Sequence, residues 1–247
     1  MHEYVFKCNL GLGNKLCNLM NMFYLHSVFP SATYYLQWVV DHHCGADIHE
    51  LLDLSEFTWI RPMTELRPRS GDLLASTSIA NRTRWDNLGE WDRHRRIVSV
   101  SFHLFTFVPL SFCRDTFLKL KQKEPVLRSI QEKQAGAWAG RPFISVRKGD
   151  LLQMLQLMES DPTIEQRITD KLATSSFPAY IYDQQVVNRG RDHVIDSMAD
   201  LIFFSQHADI RGYCPYSWFS SWIYILSSGF SSANPVFDFR VHDVLFV

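Results

Sequence analysis

The chain has 247 residues, 46% of them apolar, enough to bury a sizeable core and to exclude a disordered chain. A formal net charge of −1 excludes a nucleic-acid partner held mainly by phosphate charge. The five cysteines, an odd number with no CxxC pair, exclude a disulfide scaffold and fit a reducing compartment.

The opening residues Met1 to Phe6 lack the basic start and apolar run of a signal peptide. No apolar run of about 18 residues occurs anywhere, so no membrane span is expected. A cytoplasmic location follows, with a soluble catalytic domain of a secretory-pathway enzyme as the alternative. The sequon Asn81-Arg82-Thr83 has meaning only in that second setting.

Tyr4 to Cys8 reads as a first strand, and residues 9–14, Asn-Leu-Gly-Leu-Gly-Asn, as a glycine turn. Lys15 to Phe29 carries Leu16, Leu19, Met20, Phe23, Tyr24 and Val28 at helical spacing. A helix that starts after such a loop points amide N–H groups and a partial positive charge at whatever sits over it, which favours phosphate. The glycine spacing matches neither the GxGxxG fingerprint nor a P-loop.

Thr33 to Val40 reads as a second strand. Asp41-His42-His43-Cys44 and His49 follow it and invite a zinc reading, but adjacent ligands suit one tetrahedral site poorly and no second cluster is present. The letters DHHC also name a palmitoylation motif, whose cysteine-rich zinc domain and membrane spans are missing here. Leu73 to Thr77, Ile97 to Val100 and Phe102 to Val108 read as further strands. Thr116 to Ala137 reads as helical, with Pro125 expected to break or restart it. The small residues of 134–140 mark a boundary between an N-terminal half, 1–138, and a C-terminal half, 139–247.

The second half opens with a short strand, Phe143 to Val146, that runs into Arg147-Lys148-Gly149-Asp150. At the carboxyl end of a strand, Arg147 can grip a diphosphate with two parallel hydrogen bonds, and Asp150 can orient it. Helices are expected at 151–159, 163–174 and 192–206, and a strand at 179–183. Ser217 is placed to cap a following helix. Strand, ligand-facing loop and helix recur in both halves. The pattern is α/β, with two Rossmann-like lobes facing a cleft.

Residues 7–16, KCNLGLGNKL, resemble the first glycine loop of the fucosyltransferase superfamily. Residues 145–150, SVRKGD, resemble its H-x-R-R-x-D motif, with Ser145 in place of the histidine. Residues 200–209, DLIFFSQHAD, resemble its D-x-x-x-L-S-x-x-D helix end, one residue longer, and Ser217 to Ser220 fall where that family has a serine-rich donor loop. The nearest pattern is the α1,6/α1,2 and protein O-fucosyltransferase group, including small algal, viral and bacterial relatives. The resemblance implies a GT-B-like, inverting glycosyltransferase that uses GDP-fucose and no metal or other cofactor. It further implies that Arg147 holds the β-phosphate, that Gly11, Gly13 and Asn14 approach the diphosphate, and that Asp200 pairs with the guanine edge. Ser217, Trp218 and Phe219 would then line the donor pocket. Asp41 or His43, after a first-half strand, is the expected base toward a glycan acceptor. A non-catalytic sugar-nucleotide or glycan-binding protein of the same fold is the alternative. A hydrolase or deaminase built on the His/Cys stretch is a third reading.

Overall fold

The computed structural model describes residues 2–67, 69–75, 87–100, 103–135, 142–145, 189–207, 209–213, 217–232 and 245–246. Arg147, Lys148 and Asp150 lie outside the described residues, as do the expected elements at 151–183, the sequon and Cys214. The chain divides into two compact units. One comprises Met1–Leu127 with Arg189–Ile195, the other Arg128–Asn188 with Asp196–Val247.

The first unit is built on a parallel sheet of five strands: β1 (Glu3–Cys8), β2 (Thr33–Trp38), β4 (Ile60–Pro62), β5 (Leu73–Ala75) and β6 (Arg96–Ser99). Their spatial order is β4-β2-β1-β6-β5. β1 is central, and Tyr4, Val5, Phe6 and Cys8 have no exposed surface, as a strand covered on both faces requires. The chain leaves β1 toward β2 and β4, then returns on the other side through β5 and β6. The order therefore reverses between β1 and β6, and the crevice at their carboxyl ends is where ligands bind in such sheets.

Helix α1 (Leu12–Val28) packs on this sheet. It begins three residues before the expected Lys15, so Leu12, Gly13 and Asn14 are its first turn and not part of the loop. Two short elements follow β2: α2 (Ile48–Leu51), closed by an Asp47/Glu50 capping box, and β3 (Leu52–Asp53). Then come α3 (Leu88–Arg93), α4 (Leu110–Phe117) and β7 (Lys121–Gln122), the last pairing antiparallel with β3. The ring of buried Trp91 stacks on Phe6 and its carbonyl accepts the Tyr4 hydroxyl at 2.9 Å. At the amino ends of the strands, buried Arg96 pairs with Glu3 and Asp72, and Arg69 joins Glu3 at 3.0 Å. These ion pairs tie β1, β6 and the turn before β5 together.

Two expectations change. Phe102 to Val108 forms no strand over its described residues. β6 already has β1 and β5 on its two sides, and the backbone at His103 and Phe105 bonds instead to the Asn21 side chain of α1. The stretch from Thr116 to Ala137 is not helical throughout, because α4 ends at Phe117 and β7 follows; Pro125 restarts the helix as expected, α5 running Glu124–Ala135 with proline in the first turn, where its missing N–H has no cost.

The second unit holds most of α5, a three-stranded sheet and two further helices. β8 (Pro142–Ser145) pairs parallel with β9 (Asp209–Tyr213), and β10 (Leu245–Phe246) pairs antiparallel with β9. Helix α6 (Arg191–His207) contributes its first residues to the first unit and the rest to the second. Helix α7 (Trp218–Leu226) is buried along its whole length except at Phe219, so it is a core helix with no solvent face. Tyr224 from α7 stacks on Tyr213 of β9 with ring centroids 4.3 Å apart.

Gly45 shows how tightly the first unit closes on residues 189–191. A Cβ placed there would lie 2.9 Å from both the Arg189 carbonyl oxygen and the Arg191 nitrogen, which are backbone atoms with nowhere to go. Gly45→Ala is therefore expected to cost roughly 1–3 kcal/mol. Chemical denaturation checks this, and an unchanged midpoint would show that residues 189–191 yield freely.

Candidate functional site

The carboxyl edge of the first sheet is assembled by three polar side chains of α1. Lys15, Asn18 and Asn21 stand three residues apart on one stripe, and none has exposed surface. Asn18 donates to the Lys7 carbonyl of β1 and accepts the Ser99 hydroxyl at the end of β6, both at 3.0 Å. Asn21 donates to the His103 carbonyl at 2.8 Å and accepts the Phe105 amide at 2.9 Å. Lys15 donates to the Val39 carbonyl just past β2, and its ammonium lies 4.9 Å from the centre of the Trp38 ring. It also hydrogen-bonds the Cys44 sulfur. A buried polar group is costly unless bonded, so each of these contacts fixes a loop end. The apolar spacing that marked this helix in the sequence said nothing of the stripe. The signal was there in polar residues recurring every third position of an apolar helix.

Above the stripe, β1 passes into α1 through Asn9, Leu10 and Gly11. The expected glycine turn takes its bend elsewhere: Leu10, not a glycine, adopts the left-handed conformation, with φ of 64°. Such a residue outside glycine is strained, by about 1–3 kcal/mol, and the surroundings must hold it there. Gly11 is the N-cap, with extended backbone and no side-chain cap. Leu12, Gly13 and Asn14 occupy the first three helical positions, where backbone amides point out of the helix end. No acidic residue stands in that turn. The arrangement presents amide donors and the positive end of a 17-residue helix at the sheet's switch point, with no carboxylate in that turn to compete with an anion.

The turn after β2 is equally defined. Asp41 and Cys44 form an isolated bridge, and Asp41 Oδ1 accepts the amides of His43 at 2.8 Å and Cys44 at 3.2 Å. The carboxylate of Asp41 thus holds its own turn through one oxygen. The His43 ring meets an Arg189 nitrogen at 3.1 Å through Nδ1, and lies tilted by 42° against exposed His42 with centroids 3.9 Å apart. Gly45 N donates to the Arg189 carbonyl at 2.8 Å, and Arg191 pairs with Glu50. Arg189 was not among the candidates from sequence. It lies 146 positions from His43, and no local pattern joins them.

The cysteines here are structural. Burial pushes the Cys8 thiol up to about 12 despite nearby Lys15, and it raises Cys44 as well. Both stay protonated and are poor nucleophiles and metal ligands in that state. Among the described residues no three His, Cys, Asp or Glu side chains converge as a metal site.

In the second unit Ser217 caps α7, its hydroxyl oxygen accepting the Ser220 amide at 3.4 Å, and it is almost fully buried. The helix starts directly after it, so Trp218 and Phe219 are the first turn of α7; Trp218 is buried and Phe219 half-buried. Asp200 lies in the body of α6 and is 7% exposed. Its carboxylate pairs with Lys133 of α5 at 2.9 Å, and Lys133 also reaches Asp196 at 3.5 Å. Asp196 in turn accepts the Ser129 hydroxyl. Asp200 therefore already has a cationic partner, supplied by a neighbouring helix.

No family model matches the sequence, and no curated protein matches it in sequence. Solved structures do match in fold. Fucosyltransferase NodZ from Bradyrhizobium is 12% identical and superposes with a TM-score of 0.58 over 92% of this chain and 93% of that one. NodZ α-1,6-fucosyltransferase soaked with GDP-fucose is 10% identical, with a TM-score of 0.57 over 100% and 98%. The same enzyme co-crystallised with GDP is 10% identical, with a TM-score of 0.59 over 92% of each chain. At that identity the likeness is one of fold. The chain has the α/β, GT-B fucosyltransferase fold that its motifs implied. Among the described residues no helix is long and apolar enough to cross a membrane.

Burial pushes the Asp200 carboxyl up from 3.8 to about 6; Lys133 pulls it down and Asp196 pushes it up. A carboxyl raised on folding contributes its full stabilisation below its unfolded pKa and loses it as pH rises through the folded one. Wild type should therefore lose stability relative to Asp200→Asn between about pH 4 and 6.5, by roughly 2–3 kcal/mol. Denaturation of both proteins across that range checks this, and parallel curves would show that Lys133 fully compensates the burial.

Proposed function

We propose that the chain is a glycosyltransferase that moves fucose from GDP-fucose to a hydroxyl of a glycan acceptor, inverting the anomeric centre without a metal ion. The observation that carries this reading is the N-terminus of α1. It directs the first-turn amides and the positive end of the helix dipole to the switch point of a parallel sheet, with Leu10 strained in the loop before it and no acid in the turn. The order of the sequence motifs, and a fold shared with an enzyme co-crystallised with GDP and soaked with GDP-fucose, support it.

Sugar transfer from a nucleotide develops positive charge on the sugar and negative charge on the departing diphosphate. Fixed dipoles and cations stabilise the second charge without reorganising during the reaction. In this reading the amides of Leu12, Gly13 and Asn14 serve one part of the diphosphate. Arg147, oriented by Asp150 and with Lys148 beside it, serves the β-phosphate and does the work that a metal does in other transferases. Ser217, Trp218 and Phe219 contribute to donor binding from the start of α7. Asp200 takes part in guanine recognition only by exchanging Lys133 for the base. Calorimetry of GDP with Asp200→Asn tests that exchange, and unchanged affinity would assign Asp200 to helix packing alone.

Asp41 is the proposed base. Its Oδ1 holds the turn, and among the described residues no side chain donates to its Oδ2. Asp41→Asn keeps an oxygen for the His43 and Cys44 amides, so the turn survives. The variant should lose on the order of a hundredfold to ten-thousandfold in kcat and keep its melting temperature. Near-normal turnover would remove Asp41 as the base.

The direct test is release of GDP from GDP-fucose with glycan acceptors, read alongside thermal shift. GDP and GDP-fucose should stabilise the protein by mass action, and UDP-sugars should not. Arg147→Ala should lower kcat on the order of a hundredfold to a thousandfold, the cost of one charge-stabilising donor. EDTA should leave turnover unchanged, and loss restored by manganese would indicate a metal-dependent transferase. Stabilisation by GDP-fucose with no turnover on any acceptor would favour a binding protein of this fold.

A further inference from the structure

We propose that His43 serves the transfer reaction as a hydrogen-bond donor through Nε2–H, with its tautomer fixed by Arg189, and that it is not the base. This rests on the reading under Proposed function. An arginine guanidinium has only N–H donors and stays protonated, so where it meets a histidine nitrogen it must be the donor. His43 Nδ1, 3.1 Å from the Arg189 guanidinium nitrogen, must then present its lone pair. The proton of the neutral ring sits on Nε2, and that nitrogen has no lone pair left to accept a proton.

Both partners are held from their backbones, which makes the pairing a built feature. The Asp41 carboxylate accepts the His43 amide at 2.8 Å and fixes where the ring starts. Gly45 N accepts no substitute for its contact: it donates to the Arg189 carbonyl at 2.8 Å, and the missing Cβ lets residues 189–191 approach. Arg191 is anchored on Glu50, itself part of the Asp47 capping box. Residues 41–50 thus clasp residues 189–191 on both sides of the His43–Arg189 contact. The ring is half-buried, so its outer nitrogen can meet an oxygen acceptor, either a diphosphate oxygen of the donor or a hydroxyl oxygen of the glycan. Division of labour follows: Asp41 next to it can take the acceptor's proton, and His43 can only give a hydrogen bond. Arg189 is a positioning residue, acting through His43.

Long-range 1H–15N NMR of the histidine-labelled full chain reads the tautomer without any ligand. Wild type should show the Nε2–H tautomer of His43, and Arg189→Leu should show a mixture of tautomers. An Nδ1–H tautomer in wild type would overturn the proposal. GDP release reads the role. The side-chain amide of glutamine reaches the Nε2 position and that of asparagine the Nδ1 position, so His43→Gln should recover turnover to within about tenfold of wild type. His43→Asn and His43→Ala should both fall about a hundredfold, the cost of one donor at a charge-bearing oxygen. His43→Gln as inactive as His43→Ala would restore the base assignment. A rise confined to the KM of GDP-fucose would place the acceptor oxygen on the diphosphate, and one confined to the KM of the glycan would place it on the sugar. Wild type that releases no GDP fails the reading under Proposed function, while the NMR result still decides the tautomer.

Discussion

The arrangement of the first unit depends on burying three polar side chains in one helix. Lys15, Asn18 and Asn21 each sit where an apolar residue would pack more cheaply, and each is bonded to backbone or side-chain atoms of a different loop or strand end. An unbonded amide or ammonium in that interior costs several kcal/mol, so the loops cannot drift without losing more than the contact itself. The consequence reaches the site directly. The loop from β1 into α1 can hold Leu10 at a positive φ because Asn18 pins Lys7 below it, and the turn at 41–44 keeps its place because Lys15 pins Val39 and meets Cys44. Strain above is sustained by satisfaction below.

How much of this the sequence shows depends on whether the signal is local. β1, β2 and β6 are runs of apolar residues bounded by turn residues, and a mainly parallel sheet is implied by the alternation with helices, whereas the order of its strands comes from the fold. α6 and the Ser217 cap are equally legible, since caps and periodicity are short-range properties. Phe102 to Val108 misled because an apolar run looks the same whether it pairs with a strand or packs under a helix that supplies its hydrogen bonds. Here Asn21, more than eighty positions earlier, does the pairing. The His43–Arg189 contact is invisible for the same reason: it is created by the fold, which brings residue 189 back to the 41–50 turn.

Asp200 shows the opposite limit. Its motif was readable, yet motif position does not determine a carboxylate's partner. On α6 it faces α5, and the Lys133 ammonium satisfies it within the unit. Asp196, one turn earlier, shares that lysine, so two acids meet one cation, and burial raises the Asp200 carboxyl. Whether such a carboxylate reads a base or locks two helices is decided by the energy of exchanging partners, which depends on the ammonium's alternatives. Lys133 has one in Asp196.

The near-zero net charge constrains how any anionic donor is held. A chain of net charge −1 has little long-range field to steer a diphosphate, so affinity must come from groups within contact distance. Helix amides suit that requirement, because their dipoles are fixed by the fold and carry no formal charge to be screened at range. The same economy appears in the turn after β2. On the tautomer proposed above, Arg189 sets the proton of His43 and Asp41 uses one oxygen on its own turn, leaving one N–H donor and one carboxylate oxygen in the same turn. Transfer to a sugar hydroxyl needs that pair of opposite functions, a donor that holds an oxygen and an acceptor that takes its proton, and a single histidine free to tautomerise could supply only one of them at a time.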